Sequence, residues 1–223
     1  HPVTEEVTDM DRVYEQLRIA RGEELGYEQS DISWNGHSIE ARLYAEDPDN
    51  DFLPETGTLI AFEEDYEAEA RWDSGVESGS IVGTSFDPML AKVISYGATR
   101  TDAATKLARA LEAAHIGGLT TNRDFLVATL KTQEFLDGDT TTDFIDRVKP
   151  PRALVLSDEQ IKHVTAIAAL WIQELNRLHD DVLGHLPSGW TNGRTPRQNI
   201  KFKYKEDEIN VTYKGKRDGS FKI

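Results

Sequence analysis

Cysteine is absent from the 223-residue sequence. That excludes disulfides, thiolate metal sites and cysteine nucleophiles. Methionine is scarce, occurring only as Met10 and Met89. No apolar run approaches the roughly 20 residues that a membrane-crossing helix needs, and mean hydropathy is -0.53. The start lacks a secretory pattern, because His1-Pro2 is followed by acids rather than by a basic and then an apolar region. It also lacks an initiating Met, so a trimmed or truncated polypeptide is expected. Neither a Walker phosphate loop nor a His-Glu-x-x-His pattern occurs. The six histidines therefore read as surface or core residues, and no metal ligands are assigned. Surplus positive charge is missing too: the net charge is -15, which argues against duplex nucleic acid as a partner. The expected setting is cytoplasmic, away from membranes.

What is present centres on the stretch from Gly36 to Pro48. Ile39, Ala41, Leu43 and Ala45 alternate with Glu40, Arg42, Tyr44 and Glu46. A period of two predicts a strand with one apolar and one polar face. Arg42 falls mid-strand on the polar face, where its planar fork of donors suits a carboxylate, a bicarbonate or an enolate oxygen. By pattern alone, a sheet-face ion pair with Glu40 or Glu46 is the commoner outcome.

Upstream, Thr8 is expected to cap a helix carrying Met10, Val13, Leu17 and Ala20, with Gly22 ending it. Downstream, residues 58–62 and 68–72 read as strands flanking an acidic loop (Glu63, Glu64, Asp65, Glu67, Glu69), hence a hairpin. Leu90 to Tyr96 reads as a buried strand. Thr101 is expected to cap a helix running to His115, and Asn122 another through Leu126 and Leu130. Pro150-Pro151 marks a boundary. Beyond it Ser157 and Gln160 form a capping box before a helical stripe: Ile161, Val164, Ala168, Trp171, Leu175, Leu178 and Val182, ending at Gly184. His163 and His179 lie off this stripe and read as solvated. Ile200, Phe202 and Tyr204, then Ile209, Val211 and Tyr213, alternate with polar residues across a Glu206-Asp207 turn. Asp218-Gly219 is a second hairpin turn. Lys201, Lys203, Lys205, Lys214, Lys216 and Arg217 make this tail basic. The predicted class is α+β: an antiparallel sheet with packed helices, then a long helix and antiparallel strands of an incomplete β-barrel.

The wording of several blocks carries a resemblance. Glu40-Ala41-Arg42-Leu43-Tyr44-Ala45-Glu46-Asp47-Pro48, with Phe52-Leu53-Pro54 and Thr56-Gly57, resembles the C-terminal subdomain of biotin carboxylases. So do His1-Pro2-Val3-Thr4-Glu5, Phe86-Asp87-Pro88-Met89-Leu90-Ala91-Lys92, and Gly118-Leu119-Thr120-Thr121-Asn122 with Phe125-Leu126. Together these ordered blocks run from His1 to about Val148. Leu186-Pro187-Ser188-Gly189-Trp190-Thr191-Asn192, after a long helix, resembles the linking domain of acyl-CoA carboxylase α subunits. This implies a carboxylase subdomain over 1–149 and the start of a linking domain over 150–223, its helix over 158–184 and its strands from about 199.

The resemblance implies chemistry as well. In ATP-grasp biotin carboxylases, ATP and bicarbonate make carboxyphosphate, whose CO2 passes to biotin. Arg42 matches the arginine that contacts bicarbonate and the biotin ureido oxygen, and is the expected catalytic residue. A fixed cation there stabilises the charge that appears on that oxygen when the ureido nitrogen is deprotonated. Asp87 matches an acidic position near that arginine; a plain turn aspartate before Pro88 is an equal reading. Thr142 aligns with a position near the adenine. Arg71 matches a dimer-interface arginine, but Ala68 replaces the expected aromatic, so at most weak self-association is expected there. The family's ATP lid, metal ligands, Gln-Val-Glu and Met-Lys-Met biotin acceptor have no counterpart in the sequence, so the chain alone is expected to be inactive. The cofactors implied are biotin on a separate carrier domain, ATP and Mg2+. The partners implied are a carboxyltransferase β subunit, the biotin carrier domain and bicarbonate. The expected parent is a propionyl-CoA-type acyl-CoA carboxylase. A pyruvate or urea carboxylase, or a non-catalytic interaction module, are the alternatives.

Overall fold

The computed structural model describes residues 1–179, 197–205, 207–216 and 218–223. The chain forms two compact units, His1–Leu154 and Val155–Ile223. In the first, two short helices, α1 (Pro2–Thr8) and α2 (Arg12–Ala20), precede the strand β1 (His37–Tyr44). Then come β2 (Glu46–Asp47), β3 (Leu53–Pro54), β4 (Gly57–Thr58), β5 (Ala61–Glu63), β6 (Arg71–Ser74), β7 (Ile81–Val82) and β8 (Met89–Gly97). Helix α3 (Arg100–Ala113), β9 (His115–Gly117), α4 (Arg123–Leu130), α5 (Gln133–Asp137) and α6 (Phe144–Val148) complete it.

The main sheet has the order β1-β8-β6 and is antiparallel. Alternation in β1 buries Ile39, Ala41 and Leu43. On that side α3 packs with Ala103, Ala104, Leu107, Ala108 and Leu111 against Ile39, Ala41 and Val93. The alanines let the helix lie close to the sheet, and each buried Leu contributes about 1.5–3 kcal/mol. Gly97 closes β8 where a side chain cannot fit: a Cβ there would stand 2.5 Å from the Ala103 nitrogen. The opposite face meets α1.

Several local expectations are corrected. Thr8 does not start a helix. It ends α1, and its hydroxyl donates to the Thr4 carbonyl at 2.6 Å. The cap of α2 is Asp11, whose carboxylate accepts from the Tyr14 amide. Likewise Thr99, not Thr101, caps α3, accepting from the Asp102 amide, and the stretch from His115 is strand β9 rather than helix. The expected hairpin of 58–62 with 68–72 does not form. β5 pairs with β9 and β6 with β8. The two segments meet through side chains instead, Phe62 edge-on to Trp72 at 6.1 Å. Non-local pairing wins because Ala70 and Trp72 then pack on the core under β1 and β8.

Past the two prolines, Arg152 belongs to the first unit. Its guanidinium donates to the Pro48 carbonyl at 2.8 Å and stands 5.3 Å from the Phe52 ring centroid.

The second unit holds α7 (Asp158–Leu178), β10 (Gln198–Tyr204), β11 (Asp207–Gly215) and β12 (Phe221–Lys222), with the strands in sequential antiparallel order. The Ser157/Gln160 capping box forms. Gly219 takes φ 83° in the second turn, a conformation that suits glycine. The sheet among the described residues is open, not a closed barrel. Its core joins Ala169 to Val211 and Tyr213. The buried side of α7 therefore runs through Thr165 and Ala169, while Val164, Ile167, Trp171 and Leu178 are exposed. The expected continuation of the helix through Val182 to Gly184, the 186–192 segment, Glu206 and Arg217 lie outside the described residues. Among the described residues no helix is long and apolar enough to cross a membrane.

Candidate functional site

Arg42 lies on the polar face of β1, two residues from the strand's end. Its Nε donates to Glu40 Oε1 at 3.1 Å, and its side chain remains 60% exposed. Glu40, then the Tyr44 hydroxyl, raise the guanidinium's pKa, so it stays charged. Directly across the sheet, Lys92 of β8 is its register partner, and Asp73 of β6 is the register partner of Lys92.

A groove of about 600 Å³ runs along β1, lined by residues of both its faces and by His1, Pro2, Val3 and Thr4. Ser38, Glu40 and Arg42 line it from β1, Lys92 from β8, Arg100 from α3, and Phe135 from α5. Arg100 is held by its Nε donating to the Phe135 carbonyl at 2.8 Å, with its guanidinium carbon 4.6 Å from that ring's centroid. Three cationic side chains thus face one carboxylate. The arrangement suits a small oxyanion or a polarised carbonyl oxygen.

The backbone under Arg42 is fixed by Asn122, which the sequence pattern had suggested as a helix cap. Asn122 does occupy the position before α4, but its side chain makes no cap. Its carboxamide oxygen accepts from the Tyr44 amide at 2.9 Å, and its nitrogen donates to the Arg42 carbonyl at 3.2 Å. A buried side chain therefore imitates a neighbouring strand where β1 loses its partner.

Asp87 lies in the turn before β8, and its carboxylate accepts from the Met89 amide at 2.8 Å. That turn is stitched to β1 by the Ala45 amide donating to the Pro88 carbonyl at 3.0 Å. The carboxylate paired with Arg42 is Glu40; Asp87 acts electrostatically on Glu46 instead. Burial first, then the Asp87 charge, push the Glu46 pKa up. Thr142 sits exposed in the turn entering α6, not among the residues lining the groove. The sequence pattern does not single out Lys92 and Arg100, which line the groove, or the bracing role of Asn122. The one signal in the sequence was a lysine on the predicted buried strand, Leu90 to Tyr96. No group of three or more His, Cys, Asp or Glu able to hold a metal occurs among the described residues. The groove's own donors, mostly cationic, suit an anion rather than Mg2+.

Comparison with known proteins places this region. Residues 40–147 match the biotin carboxylase C-terminal domain. The chain is 46% identical over 145 residues to biotin carboxylase 2 of Bacillus subtilis, a match covering 65% of this chain and 32% of that protein. The methylcrotonoyl-CoA carboxylase α subunit of Dictyostelium discoideum is 33% identical over 220 residues, covering 95% of this chain and 31% of its own length. A solved biotin carboxylase domain of a thermophilic 2-oxoglutarate carboxylase, bound to bicarbonate, superposes with TM-score 0.65 at 36% identity. That match covers 67% of this chain and 34% of the other. Propionyl-CoA and pyruvate carboxylases are also among the similar proteins. The homologues are thus biotin carboxylase regions of biotin-dependent, ATP-using ligases. The chain spans about a third or less of the length of the curated relatives it matches.

Proposed function

We propose that this chain supplies the C-terminal part of the biotin carboxylase active site in the α subunit of an acyl-CoA carboxylase. The parent enzyme would carboxylate biotin with ATP and bicarbonate for transfer to an acyl-CoA such as propionyl-CoA. The observation that carries this reading is Arg42, held on a rigid strand yet exposed in a cation-rich groove, within the matched domain. Removing the proton from the ureido nitrogen of biotin moves negative charge onto its oxygen. A guanidinium already positioned there stabilises that charge without reorganisation. Asp87, by ordering the turn beside β1, is a candidate second contact for biotin or bicarbonate. Thr142 is a candidate contact on the adenine side. Biotin fits the groove's donors. ATP and Mg2+ would draw their main ligands from elsewhere in the parent enzyme.

An acyl-CoA acceptor is supported by the extent of the methylcrotonoyl-CoA carboxylase match, which reaches into the second unit. Relatives named as α chains support a carboxyltransferase β subunit and a biotin carrier domain as partners. A 2-oxo acid acceptor is the competing reading, favoured by the solved neighbours. Assaying 14C-bicarbonate fixation by the parent enzyme with propionyl-CoA, methylcrotonoyl-CoA, pyruvate and 2-oxoglutarate decides between them. Turnover with a 2-oxo acid alone would overturn the acyl-CoA reading.

A further inference from the structure

We infer that Lys92 is the second cation of an oxyanion clamp, acting with Arg42 to hold a carbonate-type group, either bicarbonate or the carboxylated ureido group. This rests on the biotin carboxylase reading of the groove. Arg42 and Lys92 are opposed residue for residue on one sheet face. Like charges so placed destabilise a sheet, unless something negative lies between them.

Among the described residues no side chain on this face lies between the two. Glu40 engages Arg42 through Nε and the neutral Tyr44 hydroxyl is the guanidinium's other partner, so no carboxylate lies on the two terminal nitrogens among the described residues. Asp73, across from Lys92 on the other flank, has both carboxylate oxygens bonded to Arg71, at 2.9 and 3.0 Å. Among the described residues Lys92 makes no ion pair. Arg100 adds a third positive charge to the same groove. A planar group with two oxygens matches the Arg42 fork on one edge, and the flexible Lys92 ammonium reaches an oxygen as a point charge.

The test titrates the 223-residue chain with sodium bicarbonate at constant ionic strength, replacing chloride. NMR follows the amides of β1 and β8 and the Arg42 Nε–H. Saturable shifts centred on Arg42 and Lys92 are expected. Lys92→Met should weaken the apparent Kd about fivefold or more, and Lys92→Arg should restore it to within about twofold. Lys162→Met, which removes the same charge from α7, should change nothing. In the parent enzyme Lys92→Met should raise KM for bicarbonate more than it lowers kcat. If Lys92→Met titrates like the unaltered chain while Arg42→Gln loses binding, Lys92 has no part in the clamp and the wider reading stands. If no saturable shift occurs in any form, the clamp and the groove reading fall together. Equal binding of inorganic phosphate would overturn the carbonate assignment.

Discussion

At the scale of single residues, three side chains set the chemistry around β1. Arg42 is exposed, its partners being Glu40 at Nε and the Tyr44 hydroxyl, both on the same strand face, so Arg42→Gln should leave the fold intact. In the parent enzyme it should cut biotin carboxylation on the order of a hundredfold, the usual cost of one contact to a developing charge. Circular dichroism and 14C-bicarbonate incorporation check both halves, and normal carboxylation would reduce Arg42 to a sheet-face ion pair. Asn122 is only 6% exposed, and its carboxamide satisfies the Tyr44 amide and the Arg42 carbonyl. Asn122→Ala leaves those groups without partners, so it should cost about 1–3 kcal/mol in chemical denaturation. Glu46 has its pKa raised by burial and by Asp87. The folded chain therefore holds the Glu46 proton more tightly than the unfolded chain does. The cost of ionising it is absent below the unfolded value of about 4.3, and it grows as pH rises through the higher folded value. Glu46→Gln should raise Tm at neutral pH and leave it nearly unchanged about one unit below that unfolded value. An equal gain at both pH values would mean that packing, not charge, is responsible.

At the scale of elements, α3 and α7 are both amphipathic but unequally used. α3 buries six of its 14 residues, whereas α7 buries two of 21. Hydrogen exchange follows such burial. Amides from Ile161 to Leu178 should exchange faster than those of α3 in the isolated chain, as mass spectrometry can read. Equal, strong protection in dilute monomer would show that the three-stranded sheet is cover enough. Trp171 is 66% exposed, so Trp171→Gln should shift stability by no more than about 0.5 kcal/mol. Ala169→Leu should cost about 1–3 kcal/mol, because Ala169 is fully buried against β11 and has no room to grow.

At the scale of the whole molecule, the question is self-association. Arg71 is bound within its own chain, to Glu5, Glu6 and Asp73 at 2.9–3.3 Å. These contacts raise its pKa, with Asp73 foremost. A guanidinium so fully engaged has few donors left for another copy, and Ala68 offers little apolar area beside it. Sedimentation velocity should show at most a weak, concentration-dependent dimer through this surface, unmoved by Arg71→Ala. A tight dimer abolished by Arg71→Ala would contradict this.

Periodicity along the sequence was enough to establish β1 with Arg42 on its polar face, β8 as a buried strand, the capping box of α7, and the alternation of β10 and β11. Each of these depends on residues a few positions apart, so the local pattern carries the answer. The biotin carboxylase wording around Arg42 and Asp87 was legible for the same reason. Tertiary structure alone decided that β5 pairs with β9, that Lys92 stands opposite Arg42, and that Asn122 braces β1 instead of capping α4. It alone decided which side of α7 the sheet covers. Alternation says which face of a strand a residue occupies. Which strand lies alongside, and in what register, follows from competition among distant segments for the same backbone partners and the same core, and no short stretch of sequence records that outcome.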